Sequence, residues 1–88
     1  MNIRFSARPW AEYLEWQSES DRDLKRLNAL IEECTRSPFR GRGKPEPLRQ
    51  NLKGWWSRRI TKEHRLVYRV TGSGDQQCLD IAQCRFHY

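Results

Sequence analysis

No apolar run in this chain approaches the ~18 residues needed to cross a bilayer. The opening residues, Met1-Asn2-Ile3-Arg4-Phe5-Ser6, lack the apolar core of a secretion signal, so a cytoplasmic protein with no membrane partner is expected. Cysteine is scarce and poorly spaced: Cys34, Cys78 and Cys84 form an odd set without a Cys-x-x-Cys pair. That argues against a disulfide framework and against a zinc site. Small buried thiols in a reducing compartment are expected instead, with no metal and no cofactor. Histidine occurs only at 64 and 87, and the chain has no repeats and no low-complexity segment. Its 88 residues fit one domain, 1–88. A chain of that size buries roughly 60–65% of its unfolded surface around one modest core.

Charge, by contrast, is plentiful and uneven. Residues 1–36 carry six basic and seven acidic side chains. Residues 37–69 carry ten basic (Arg40, Arg42, Lys44, Arg49, Lys53, Arg58, Arg59, Lys62, Arg65, Arg69) against only Glu46 and Glu63. Beyond residue 69, Arg85 stands against Asp75 and Asp80. A net charge of +6 that served solubility alone would not gather in one third of the chain. A polyanionic partner is indicated. Most of these cations are arginine, whose planar fork suits bidentate phosphate contacts.

Residues 3–5 alternate as a short strand. Pro9 fits the first turn of a helix that starts at Ser6 or Arg8 and shows Trp10, Tyr13, Leu14 and Gln17 on one stripe. Ser20 with Asp23 starts a second helix, whose apolar face is Leu24, Leu27, Leu30, Ile31 and Cys34, and Ser37-Pro38 closes it. Prolines and glycines at 38, 41, 43, 45 and 47 mark an ordered basic loop over 38–54. Strands follow at 55–61, 64–71 and about 77–88, with a hairpin tip at 72–75. The order β-α-α-β-β-β gives an α+β domain, an antiparallel sheet with two helices packed on one face. The other face is expected to gather Arg65, Arg69, Arg85 and His87.

RNA cleavage by the ribose 2′-OH needs a base for the 2′ proton, an acid for the departing 5′ oxygen, and cations for the phosphorane. Glu46, a carboxylate flanked by prolines in the most basic stretch, is the candidate base. His87 is the candidate acid, because histidine exchanges protons near neutral pH. Arg59 and Arg65 lie on adjoining strands. Each has a plainer reading: Glu46 as an ion-pair partner, His64 as a solvated turn residue, Tyr88 as a stacking, positioning or sheet-capping residue. Pattern alone supports a basic RNA-directed protein and leaves catalysis open.

Tyr13-Leu14, Trp16-Gln17, Asn28, Leu30-Ile31, Pro38-Phe39 and Gly43-Lys44-Pro45-Glu46-Pro47-Leu48 begin a recognisable pattern. Asn51-Leu52, Gly54, Trp56-Ser57-Arg58-Arg59-Ile60-Thr61, Glu63-His64-Arg65-Leu66-Val67-Tyr68 and Cys84-Arg85-Phe86-His87-Tyr88 complete it. Together they resemble the YoeB (Txe/YoeB) family of RelE-like toxins over essentially the whole chain. The resemblance implies a RelE-like α+β toxin of a type II toxin–antitoxin system, a metal-independent endoribonuclease that cuts translated mRNA in the ribosomal A site. It implies Glu46 as general base, His87 as general acid and Arg65 as phosphorane stabiliser, with Arg59, Tyr88, Lys44 and Arg49 binding substrate. The implied partners are a cognate YefM-like antitoxin, the 70S ribosome and mRNA, operator DNA through the antitoxin complex, and a second copy in a homodimer. Arg49 stands where the family often has Lys, Phe86 where Tyr is common, and the 72–77 hairpin looks longer. A non-catalytic basic nucleic-acid-binding module is the alternative, although such a module gains nothing from Glu46.

Overall fold

The computed structural model describes residues 1–87. Strand β1 (Asn2–Phe5) leads into helix α1 (Ala7–Glu19) and helix α2 (Asp21–Arg36). Ser6 begins α1 in extended conformation, and Pro9 sits in the first turn, where a missing N–H costs nothing. Ser20 alone joins the helices. Its N–H closes α1 on the Trp16 carbonyl (3.2 Å), and its hydroxyl accepts from the Asp23 N–H (3.3 Å) to start α2. The start of α1 at Ser6 and both ends of α2 fall where the pattern puts them.

After the basic loop come β2 (Glu46–Pro47), β3 (Trp56–Arg59), β4 (Arg65–Thr71) and β5 (Cys78–Gln83). They form one sheet in the order β1-β5-β4-β3-β2. The expected all-antiparallel sheet is in fact mixed, because β1 runs parallel to β5, with Arg4 opposite Asp80. That pairing joins segments far apart in the chain, so no local turn signals it. The two-residue β2 is likewise additional to the expected order.

Both helices cover one face. Trp16, Leu27, Leu30, Ile31 and Cys34 pack onto Ile60, Leu66, Tyr68, Leu79, Ile81 and Cys84. The final strand was expected to alternate through 88, but β5 ends at Gln83. Tyr68 pairs with Ile81 while Val67 pairs with Gln83, so Ala82 is the extra residue of a β-bulge. The bulge reverses the phase: Leu79 and Ile81 face the core before it, and Cys84 faces the core after it. Among the described residues, no helix is long and apolar enough to cross a membrane.

Candidate active site

Directly opposed residues of antiparallel neighbours share a sheet face. Glu46 opposes Ser57, Ser57 opposes Val67, and Arg59 opposes Arg65. Glu46, Arg59 and Arg65 therefore share the face turned away from the helices. Across such pairs Cβ atoms lie about 4.5–5.5 Å apart, so a carboxylate and two guanidinium groups span three adjacent strands. Arg65 is half-buried, and its Nη1 donates to the Thr61, Lys62 and His64 carbonyls at 3.0–3.1 Å. Among the described residues only that nitrogen is engaged, and the rest of the guanidinium edge can serve an anion.

The loop carrying Lys44 and Glu46 is held from beneath. Arg58 lies wholly buried between Trp56 and Ile60 on the core-facing side of its strand. Its Nη1 donates to Glu33 (2.6 Å) and to the Arg42 carbonyl (3.1 Å). Its Nη2 donates to the Ser37 (2.6 Å) and Arg40 (2.9 Å) carbonyls, and Nε to the Tyr68 hydroxyl (3.1 Å). That hydroxyl donates in turn to the Pro38 carbonyl at 2.5 Å. Arg58 thus fixes three points between residues 37 and 42 directly and a fourth, Pro38, through Tyr68. Glu33 also accepts from the Arg42 N–H (2.6 Å) and Nε (3.0 Å). These donors, the backbone one foremost, hold its carboxyl at about 2, against an ordinary 4.5.

Beyond Arg42 the Arg59 N–H donates to the Gly43 carbonyl at 2.7 Å, seating the loop against β3. Gly43 has φ +83°, and a Cβ there would come within 3.1 Å of the Arg58 Cβ and the Arg59 carbonyl oxygen. Lys44 follows with φ +52°, a left-handed conformation uncommon for a side-chain-bearing residue. Lys44, Glu46 and Arg49 are all exposed.

The segment after the bulge folds back onto α1 and onto the start of β4. Trp16 Nε1 donates to the Cys84 carbonyl (2.8 Å), and the Cys84 N–H donates to the buried Glu12 carboxylate (2.9 Å). Burial first, then Glu12, pushes the Cys84 thiol up to about 12, so it is inert. Arg85 was expected on the open face with Arg65 and Arg69. It instead stacks over Trp16 at 4.9 Å and pairs with Glu15 and Glu19 of α1, because β5 ends at Gln83 and the chain bends towards the helices there. The Phe86 carbonyl accepts from the Arg65 N–H at 3.0 Å, so the exposed His87 follows immediately beside Arg65. Tyr88 lies outside the described residues.

A family model described as the YoeB-like toxin of bacterial type II toxin–antitoxin systems matches residues 5–88. The chain belongs to this YoeB family. Toxin YoeB of Escherichia coli strain K12 is 52% identical over 88 residues, covering 100% of both chains. The YoeB/ParE toxin from Agrobacterium tumefaciens has a TM-score of 0.97 at 50% identity, again over 100% of both chains. Staphylococcus aureus YoeB in complex with YefM has a TM-score of 0.85 at 40% identity, over 100% of this chain and 98% of that one. A YoeB dimer from S. aureus is also a solved structure. The α+β, RelE-like fold expected from the sequence is the fold of this YoeB-family chain.

Three of the ten cations in the YoeB-family basic segment turn out to serve the fold. Arg58 and Arg42 bind Glu33, and Arg69 pairs with the buried Asp80 (3.2 Å) while stacking over Trp55 (4.4 Å). A signal for Arg58 was present: it occupies the apolar phase between Trp56 and Ile60. His64 was also underread, since its Nδ1 receives the Phe86 N–H at 2.7 Å. Among the described residues, no group of three or more His, Cys, Asp or Glu is placed to hold a metal ion.

Proposed function

We propose that this YoeB-family toxin is a ribosome-dependent endoribonuclease that cuts translated mRNA in the A site. What supports this reading most is the strand register that sets Glu46, Arg59 and Arg65 on one open face, with the residue preceding His87 bonded to the Arg65 backbone. In the reaction the Glu46 carboxylate takes the ribose 2′ proton, and the 2′ oxygen attacks the adjacent phosphorus. The P–O5′ bond then breaks, and the His87 imidazolium returns a proton to the leaving 5′ oxygen. The products are a 2′,3′-cyclic phosphate and a 5′-hydroxyl. Arg65 meets the charge that develops on the phosphorane, and Arg59, Lys44, Arg49 and Tyr88 bind and orient the RNA. Side chains fill every role, so the scheme is written without a metal.

An antitoxin of the YefM kind is the proposed inhibitor, as the S. aureus relative's complex suggests. With that antitoxin the toxin would act as co-repressor on operator DNA, and the S. aureus dimer supports self-association. Primer extension on a defined mRNA in a cell-free translation reaction tests the activity. Cuts at the A-site codon that require ribosomes are expected. Intact mRNA with folded protein would favour a non-catalytic RNA-binding module, with Glu46 reduced to an ion-pair residue.

A further inference from the structure

We propose that His64 is a positioning residue for the reaction just described: its neutral imidazole holds the Phe86 backbone and thereby sets His87 against Arg65. The inference rests on the endoribonuclease reading for its kinetic consequence, but its geometry stands separately.

Residues 84–87 lie beyond the end of β5, so contacts outside its ladder position them. Phe86 is the critical link. Its φ of +66° lies in the left-handed region, which an aromatic residue avoids unless its surroundings impose it. Both polar groups of its backbone are captured. The N–H donates to His64 Nδ1 at 2.7 Å, and the carbonyl accepts from the Arg65 N–H (3.0 Å) and from Gln83 Nε2 (2.9 Å). These three bonds together hold Phe86 in that conformation, and it sets the direction in which the chain enters His87.

Of the three, the imidazole contact is a side-chain bond with a specific chemical demand. Nδ1 accepts, so the neutral ring carries its proton on Nε2. The ring itself cannot wander: it meets the Trp16 indole edge-on at 4.9 Å, and Trp16 is anchored through Nε1 to the Cys84 carbonyl. The Phe86 ring lies 5.5 Å from the imidazole on its other contact. His64 and Arg65 are consecutive residues. The start of β4 therefore carries the phosphate-facing guanidinium and grips the segment that bears the acid, which makes their separation a property of one rigid strand end.

Two substitutions separate acceptor from filler. His64→Leu keeps apolar contact with Trp16 and Phe86 but offers no acceptor. His64→Asn presents Oδ1 at the position of Nδ1. In single-turnover cleavage on programmed ribosomes, His64→Leu is expected to lower the rate at saturation on the order of 10²-fold, with the half-saturating toxin concentration little changed. His64→Asn is expected to recover most of that loss. Equal rates for wild type and His64→Leu, or equal loss in both folded variants, would overturn the proposal. An NMR measurement on the isotope-labelled wild-type protein needs neither activity nor a variant. A through-hydrogen-bond ¹⁵N–¹⁵N coupling between the Phe86 amide and His64 Nδ1 is expected, and its absence would overturn the proposal even if His64→Leu failed to fold. An inactive wild type that shows the coupling would instead remove the nuclease reading and leave the clamp intact.

Discussion

Arg58 keeps a guanidinium inside the protein because every direction in which it can donate meets an acceptor. Burial opposes its charge, yet the Tyr68 hydroxyl and the Glu33 carboxylate hold its pKa above the ordinary value. Removing the guanidinium takes the donor from the Ser37, Arg40 and Arg42 carbonyls and a charge partner from Glu33. Arg58→Met is expected to destabilise the fold by about 3–5 kcal/mol, measured by chemical denaturation. A loss below about 1 kcal/mol would mean that the loop is braced elsewhere. Glu33 adds a pH dependence whose sign is fixed. Its carboxyl is depressed from 4.5 to about 2, so its stabilisation is present above about pH 4.5 and fades as pH falls towards 2. Glu33→Gln should lower stability at neutral pH and flatten the acid limb over that window, which unfolding curves recorded between pH 7 and 2.5 would reveal. An acid limb as steep as wild type would place the titration on other carboxylates.

The elements differ in how openly the sequence announces them. Helix α2 is legible because its evidence is local: the Ser20–Asp23 cap lies three residues apart, and Leu27, Leu30, Ile31 and Cys34 repeat at helical spacing. β4 is legible for the same reason, with Leu66 and Tyr68 alternating inward. β5 is not, since one bulge residue at Ala82 reverses which side chains face the core, and alternation alone carries no sign of it. The same reversal brings Cys84 into the core, while Arg85 leaves the expected face because the strand ends at Gln83 and the chain bends onto α1. Local pattern foretold β1 as a strand but not its parallel pairing with β5. The basic loop falls between these cases. Its prolines and glycines showed that it is ordered, but its anchor, Arg58, looked like one more phosphate-binding cation. Gly43→Ala tests that loop as an element, because the added methyl meets the Arg58 Cβ and the Arg59 carbonyl oxygen in a backbone that already favours glycine. A destabilisation of about 1–3 kcal/mol is expected by thermal unfolding, with reduced cleavage by the folded fraction. Wild-type stability and rate together would show that the loop reseats without cost to the site.

At the scale of the whole molecule the two sheet faces divide the labour. One is filled by both helices and the apolar core. The other carries Glu46, Arg59 and Arg65, flanked by the exposed Lys44 and Arg49. The ten cations of residues 37–69 therefore overstate those available to a polyanion, because Arg42, Arg58 and Arg69 are committed to carboxylates within the fold. Seven of the ten are left, and the four placed in the proposed RNA site, Lys44, Arg49, Arg59 and Arg65, would make about four phosphate contacts. Binding of a single-stranded RNA oligonucleotide, followed by fluorescence anisotropy, should then fall with salt at a log–log slope of about −3. A slope near zero would mean that the face meets something other than phosphate.

Rate and affinity measured together for Glu46→Gln test the proposed chemistry most directly. The substitution removes the base while keeping the size of the side chain and the two-residue strand that bears it. Single-turnover cleavage on programmed ribosomes is expected to fall by about 10²–10⁴-fold, while toxin binding to the same ribosomes holds or tightens as a negative charge leaves the basic face. Unchanged cleavage, or a rate that falls only in step with affinity, would contradict a catalytic carboxylate at position 46.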